Sequence, residues 1–248
     1  MKVSIICPFY NEELIIEKAA HGMISSLEKS NIDWELVCVN DGSTDNSLSK
    51  LRSSVGDNKK VIIVDYKINQ GRGYAIKYGM KKAKGEILIS TEIDLSWGDD
   101  IVKKIIEKFV NEPHLDVVIA SPNIVGGGYK NIPVYRVFVS KVGNFIIRML
   151  FTKEITMNTG MTRGYKKGII ENIQFDEKGK EFHLESLLKL KILGYNFGEI
   201  PATLEWKDKK LSSNTNKKRK SSSKVPKLIL SHLRFAAFAN PIRYFWSF

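Results

Sequence analysis

Cysteine is nearly absent from this chain. Cys7 and Cys38 are the only two in 248 residues, and each lies inside an apolar run. So few, so placed, they exclude a disulfide framework and a cysteine metal cluster and read as two buried free thiols in a reducing compartment. Histidine is also scarce, with only His21, His114, His183 and His232. Long apolar runs are missing: no stretch reaches the roughly 18 uninterrupted apolar residues that a spanning helix needs. Met1–Ile6 runs straight into a strand pattern with no secretory leader, so a cytoplasmic protein is expected, either free or lying on a membrane surface. Acid is outnumbered by base, 27 Asp and Glu against 39 Lys and Arg, for a formal net charge of +12. That surplus favours an anionic partner: nucleotide, phospholipid surface or nucleic acid. Charge alone does not choose among them.

What is present is an alternating pattern. With 43% hydrophobic and 27% charged residues the composition is that of a packed globular domain. Strand-like runs at Val3–Pro8, Glu35–Asn40, Val61–Asp65, Ile87–Ser90 and Val117–Ser121 are separated by helical patterns. The helices are expected over Glu12–Leu27, from a Ser43/Thr44 cap to Leu51, over Gly71–Lys84 and over Asp99–Val110. Strands alternating with helices imply parallel β-α-β units, hence an α/β fold with a mostly parallel, Rossmann-like sheet flanked by helices. Ligands of such sheets bind beyond the carboxyl ends of the strands. Further on, Gly126–Gly128 opens a loop, and Arg136–Phe151 and Glu181–Leu193 read as helices. Lys207–Lys224 is basic and polar, and Val225–Phe248 is apolar with a polar stripe at Lys224, Lys227, Ser231 and Arg234.

Four clusters fall at the expected strand ends. Pro8-Phe9-Tyr10-Asn11-Glu12 is either a turn into a helix or, through Pro8, Tyr10 and Glu12, a ring and a carboxylate fit to hold a nucleobase. Asn40-Asp41-Gly42-Ser43-Thr44-Asp45 is either a turn with a cap or a place where Asp41 accepts a charge-assisted hydrogen bond from a base N–H. The third window holds Asp65 and then Asn69-Gln70-Gly71-Arg72-Gly73. There two glycines at a helix start would let backbone N–H groups approach a phosphate, with Gln70 and the Arg72 cation beside it. Glu92-Ile93-Asp94-Leu95-Ser96 puts two carboxylates on one side of a strand end. Acids that close repel unless a cation lies between them, and Mg²⁺ or Mn²⁺ completed by substrate phosphates is the usual solution. Glu92 and Asp94 are the expected ligands, with Ser96 a further one, directly or through water. No histidine belongs to any of the four clusters.

In order and spacing these clusters resemble the GT-A glycosyltransferases of family 2. The resemblance covers about residues 1–125, carried by Asn40–Asp45, Gly71–Gly85 and Glu92-Ile93-Asp94. Thr159-Gly160-Met161-Thr162-Arg163-Gly164-Tyr165, Glu185, Glu199-Ile200-Pro201 and Ser223-Lys224 resemble later motifs of dolichol-phosphate mannose synthases and related polyprenyl-phosphate glycosyltransferases. That group usually has Asp where Glu92 stands, Gln at Ser96 and Asp at Met157. The Gln-x-x-Arg-Trp motif of processive polysaccharide synthases is absent, which favours transfer of a single sugar.

The resemblance implies a domain over residues 1–206, with a nucleotide-sugar half (1–125) and an acceptor half (126–206), followed by the basic segment 207–224 and an amphipathic, membrane-interfacial segment 225–248. It implies a metal-dependent inverting transfer from a UDP- or GDP-linked sugar to a lipid phosphate, by an enzyme peripheral to the cytoplasmic membrane. Asp94, Arg163 and Glu185 would carry catalysis: Arg163 on phosphate oxygens, and Glu185 as the base if the acceptor is instead a hydroxyl of a glycan. Arg136, Ser140 and Lys224 would hold the acceptor phosphate. A nucleic-acid partner is not expected, because the basic run Lys217–Lys220 is local and nothing resembles a known nucleic-acid module.

Overall fold

β-Branched apolar runs build the centre of the sheet. A computed structural model describes residues 1–150 and 154–206. Its elements are β1 (Lys2–Phe9), α1 (Ile16–Glu28), β2 (Asp33–Asp41), α2 (Ser47–Val55), β3 (Val61–Tyr66), α3 (Arg72–Lys82), β4 (Ile87–Ser90), α4 (Ile101–Asn111) and β5 (Val117–Ser121). There follow β6 (Gly128–Lys130), α5 (Val134–Leu150), β7 (Arg163–Lys166), α6 (Lys167–Glu171), α7 (Phe182–Ile192), β8 (Phe197–Pro201) and β9 (Thr203–Glu205). The main sheet runs β3-β2-β1-β4-β7-β5-β8, and β6 pairs with β9 apart from it. Only β7 is antiparallel to its neighbours β4 and β5. The expected α/β fold with a mostly parallel sheet flanked by helices is therefore present. The acceptor-phosphate candidate Lys224 and the segments 207–224 and 225–248 lie outside the described residues.

Several boundaries differ from expectation for local reasons. The first helix starts at Ile16, not Glu12, because Glu12–Ile15 form a separate turn in which the Glu12 carbonyl accepts from the N–H groups of Ile15 and Ile16. Ser43 and Thr44 do not cap α2, which starts at Ser47. Their hydroxyls face Asn11 instead, and it is Asp45 that accepts the Ser47 N–H at 3.0 Å. The two thiols are buried and unpaired, on adjacent strands in register. Burial pushes the Cys38 thiol up to about 12, and that of Cys7 well up also, so neither is a nucleophile.

The chain order makes a switch point at β1. From β1 the chain moves outward to β2 and β3, then returns through α3 to β4 on the other side of β1. Pro8 marks where the two central strands part. β1 and β4 pair from Val3↔Ile87 to Ile6↔Ser90, and the Ile6 carbonyl accepts the Thr91 N–H at 3.1 Å. The next β1 residue facing β4 is Pro8, which has no N–H to donate. Pairing with β2 continues through Phe9↔Asn40, so β1 and β4 part at the carboxyl ends of the strands, where sheets of this kind have their ligand cleft.

Candidate active site

On one wall of this cleft the loops after β1 and β2 lock into each other. Asn11 adopts a left-handed conformation (φ 52°), and its side chain accepts the Thr44 N–H at 2.8 Å while its own N–H donates to the Ser43 hydroxyl at 3.0 Å. The Glu12 N–H donates to Ser47 Oγ at 2.7 Å. Tyr10 is 41% exposed beside this clasp, a ring open to the solvent at the strand end.

Asp41, at the end of β2, is buried and engaged by the chain itself. Its Oδ1 accepts the Tyr66 hydroxyl and the Gln70 N–H, each at 2.8 Å, and the Gly71 N–H reaches Oδ1 at 3.2 Å and Oδ2 at 3.1 Å. The Asn69 side chain donates to the Asp41 carbonyl at 2.8 Å. The anion at the start of α3 is thus Asp41, placed where the helix dipole favours a negative charge. This corrects the reading of Gly71 and Gly73 as openings for a phosphate. A Cβ on Gly73 would lie 2.5 Å from the Phe182 Cβ and 2.6 Å from the Gly179 carbonyl oxygen, and one on Gly71 would lie 2.6 Å from the Lys178 carbonyl oxygen. The glycines admit the 178–182 segment, whose Lys178 carbonyl accepts the Tyr74 N–H at 3.0 Å. Gln70 contributes its backbone N–H to the Asp41 carboxylate, and Arg72 is exposed on the first turn of α3. Asp65 is not part of the wall. Side chains alternate along β3, so Asp65 points to the α2 side and pairs with Arg52 at 3.2 Å, while Tyr66 points to Asp41.

The opposite wall is the loop after β4. Glu92 and Asp94 are both partly exposed. The Asp94 Oδ1 accepts the Ser96 N–H at 3.1 Å, and Leu95 between them is left-handed (φ 55°), a conformation unusual for a branched apolar residue and common where function dictates geometry. The Glu92 Oε2 accepts Trp97 Nε1 at 2.9 Å and the Thr162 hydroxyl at 3.1 Å. Ser96 is buried, and its carbonyl accepts the Glu205 N–H at 2.7 Å, tying the loop to β9. Among the described residues no group of three or more His, Cys, Asp and Glu side chains could hold a metal ion. Glu92 and Asp94 are a two-carboxylate set, which suits Mg²⁺ or Mn²⁺ completed by diphosphate oxygens and water, and does not suit a dedicated protein cage.

Two candidates lie outside the cleft. Arg163, the first residue of β7, is fully buried, and its guanidinium donates to the carbonyls of His183 (2.6 Å) and Asn158 (2.5 Å). It faces the interior, not a phosphate. Glu185 is fully buried on α7, accepting the N–H groups of Asp176 (2.7 Å) and Glu177 (2.9 Å) and pairing with Lys189 at 2.7 Å. A carboxylate so engaged holds a turn and is out of reach of an acceptor hydroxyl. His183 beside it is held neutral by burial and by the nearby charges of Arg163, Arg72 and Lys180. On α5, Arg136 stacks over Trp206 at 4.9 Å from the ring centre, and Ser140 sits one turn on, its carbonyl accepting Asn144 Nδ2 at 2.9 Å. Sequence reading gave no role to Tyr66 or Trp97 and quoted Thr162 only within the motif around Arg163. Tyr66 and Thr162 act on carboxylates supplied by distant segments, Asp41 and Glu92, while Trp97 acts on Glu92 of its own loop.

A seven-stranded, mostly parallel sheet that opens at its switch point beside an acidic loop defines the GT-A class of fold. Two solved structures of glucosyl-3-phosphoglycerate synthase from Mycobacterium tuberculosis resemble it. The complex with UDP has a TM-score of 0.69 at 15% identity, over 95% of this chain and 80% of that one. The complex with Mn²⁺, UDP and phosphoglyceric acid has a TM-score of 0.63 at 15% identity, over 82% and 69%. At that identity the likeness speaks for the fold. The family described as glycosyl transferase family 2 matches residues 4–174, and the chain belongs to it. It is 26% identical over 191 residues to the dolichol-phosphate mannosyltransferase of Pyrococcus furiosus, covering 76% of this chain and 53% of that protein. It is 33% identical over 109 residues to the uncharacterized glycosyltransferase YkcC of Bacillus subtilis, covering 44% and 34%. The chain spans about half or less of the length of these curated relatives.

Proposed function

We propose that this protein transfers one sugar from a nucleoside diphosphate sugar to a lipid-linked phosphate, with Mg²⁺ or Mn²⁺ held at Glu92 and Asp94. The observation that carries the reading is the pairing of two walls across the Pro8 split: the carboxylates of Glu92 and Asp94 on one, the loop held by Asp41 and leading to Arg72 on the other. The donor set fits a hard cation that arrives with a diphosphate. When bound, such an ion supplies Lewis-acid stabilisation of charge on the leaving nucleotide. Tyr10 and the Asn11–Ser43 clasp would border the base, and Arg72 would oppose phosphate charge. The relatives' names support the donor class: the structural neighbour was crystallised with UDP and with Mn²⁺.

The acceptor reading rests on two features of this chain. A hydroxyl acceptor needs a base, and the withdrawal of Glu185 into an internal ion pair removes the candidate named for that role. A phosphate oxygen is already anionic: it can attack the anomeric carbon as the bond to the diphosphate breaks, with inversion and no proton to remove. The second feature is α5. Val134, Tyr135, Phe138, Val139, Val142, Phe145 and Met149 are 40–84% exposed along it, among the exposed cations Arg136, Lys141 and Arg148. An apolar face rimmed by base suits the surface of an anionic bilayer, where each Lys or Arg adds about 1 kcal/mol. No helix among the described residues is long and apolar enough to cross a membrane. Arg136 and Ser140 on this helix, with Lys224, are proposed to hold the acceptor phosphate.

The test crosses UDP- and GDP-sugars with polyprenyl phosphate and glycan acceptors, with and without excess EDTA. Transfer to the lipid phosphate is expected, abolished by EDTA and by Asp94→Ala in a folded protein. Transfer to glycans alone, or undiminished transfer in EDTA, would refute the reading.

A further inference from the structure

A fully buried arginine needs a reason, because desolvating a cation is costly unless its donors are used. Arg163 has no ion pair among the described residues, and its Nε has no hydrogen-bond partner. What its guanidinium does hold is two carbonyls on separate segments: His183 on the first turn of α7, and Asn158 in the bend that precedes β7. Asn158 is itself held from the other side, its N–H donating to Asn144 Oδ1 of α5 at 2.7 Å. The segment 158–163 is then pinned to β4, where the Ser90 hydroxyl donates to the Met161 carbonyl at 2.6 Å and the Thr91 and Thr162 hydroxyls meet at 3.0 Å. Thr162, adjacent to Arg163, donates its hydroxyl to Glu92 Oε2.

We propose that Arg163 is a positioning residue for the cation loop: its fork fixes the 158–163 segment, and Thr162 transmits that position to the Glu92 carboxylate. The inference rests on the reading of Glu92 and Asp94 as cation ligands. Geometry explains why arginine is used. Two carbonyls approached by two different nitrogens of one planar group define a position and an orientation, whereas the single ammonium of lysine defines neither. With Trp97 Nε1 and Thr162 Oγ1 both on Oε2, the carboxylate is fixed so that Oε1 remains to face a cation. Groups that orient a metal ligand in this way commonly change metal affinity by about 10- to 100-fold when removed.

The experiment measures Mn²⁺ binding by electron paramagnetic resonance in the presence of saturating UDP or GDP, whichever the wild type binds. The proteins are the wild type, Arg163→Lys, Thr162→Val, Thr162→Ser and the double variant Arg163→Lys/Thr162→Val, each checked for folding by circular dichroism. Thr162→Val should weaken Mn²⁺ binding about tenfold, and Thr162→Ser should restore it. Folded Arg163→Lys should show a similar loss, and the double variant should be no weaker than the weaker single, because both act along one path. Nucleotide affinity without metal should be unchanged throughout. Losses that multiply in the double variant would mean independent roles and overturn the inference. So would wild-type Mn²⁺ affinity in Thr162→Val, a result that stands even if Arg163→Lys does not fold. Wild-type protein that binds no Mn²⁺ with nucleotide would instead overturn the functional reading, and this inference with it.

Discussion

Replacing Asp41 by alanine separates two roles that the motif alone leaves merged. If Asp41 served only a nucleobase, the ligand-free protein would not notice its loss. In the structure the carboxylate accepts from Tyr66, Gln70 and Gly71 and so holds the loop that leads into α3. Loss of the bonds to the Gln70 and Gly71 N–H groups costs about 0.5–1.5 kcal/mol, and a half-buried tyrosine hydroxyl left without its acceptor costs about 1 kcal/mol more. Water reaches Gln70 and Gly71, which are only partly buried, so the full value of a charged hydrogen bond for each is not added. The expected loss is roughly 1.5–2.5 kcal/mol, or a fall in Tm of about 3–10 °C for a domain of this size. Asp41→Asn keeps an acceptor oxygen but not the charge, and should lose about half as much. Nucleotide affinity should fall in parallel, because the loop carrying Arg72 loses its anchor. Thermal unfolding without ligand, followed by calorimetry with UDP and GDP, gives both numbers. Asp41→Ala that melts with the wild type in the absence of nucleotide would refute the loop-holding role.

Two further outcomes follow from packing and charge. Gly73→Ala should destabilise by about 1–3 kcal/mol despite alanine's better helix propensity, because its Cβ meets the Gly179 carbonyl and the Phe182 core side chain; a raised Tm would contradict this. Glu35 is buried, and although burial raises its pKa, the bonds from Lys2, Lys84 and Ser4 outweigh it and hold the carboxyl below 4.5. A lowered folded pKa means stability that is present above the unfolded value and lost as pH falls through the folded one. Wild-type stability should therefore fall below about pH 4.5 more steeply than that of Glu35→Gln. Equal acid slopes in urea titrations of the two proteins would count against it.

The parts of the fold legible in the sequence are those where one short segment decides its own state. Ile87–Ser90 and Val117–Ser121 are apolar, β-branched and bounded by turns, and they are strands at those bounds. Arg163–Lys166 carries no such pattern. It is a strand because β4 and β5 offer two edges, and because Gly164 has no Cβ to strike Ile105 and Phe109 of α4. Site residues divide in the same way. Glu92, Asp94 and Asp41 lie at or just after strand ends, where the sequence pattern places them. Arg163 and Glu185 sit in motifs as recognisable, but the facing of a charged side chain depends on partners that the local sequence does not contain: carbonyls of Asn158 and His183 for one, Lys189 and the 176–177 turn for the other.

The antiparallel strand β7 has a consequence for how the chain is made. β1 to β4 form four contiguous parallel strands from one N-terminal stretch, joined by nearby helices. The far edge of β4 has no neighbour until β7 arrives, and 71 positions separate Ser90 from its hydrogen-bond partner Met161. At a synthesis rate of about 5–20 residues per second that edge waits on the order of 4–14 s beside the ribosome. For that interval Ile87, Leu88 and Ile89 are an open template for any other strand. The nascent protein is therefore most exposed to aggregation along the strand that leads into its acidic loop. Slowed synthesis between residues 90 and 163 should lower soluble yield more than the same delay placed after β7.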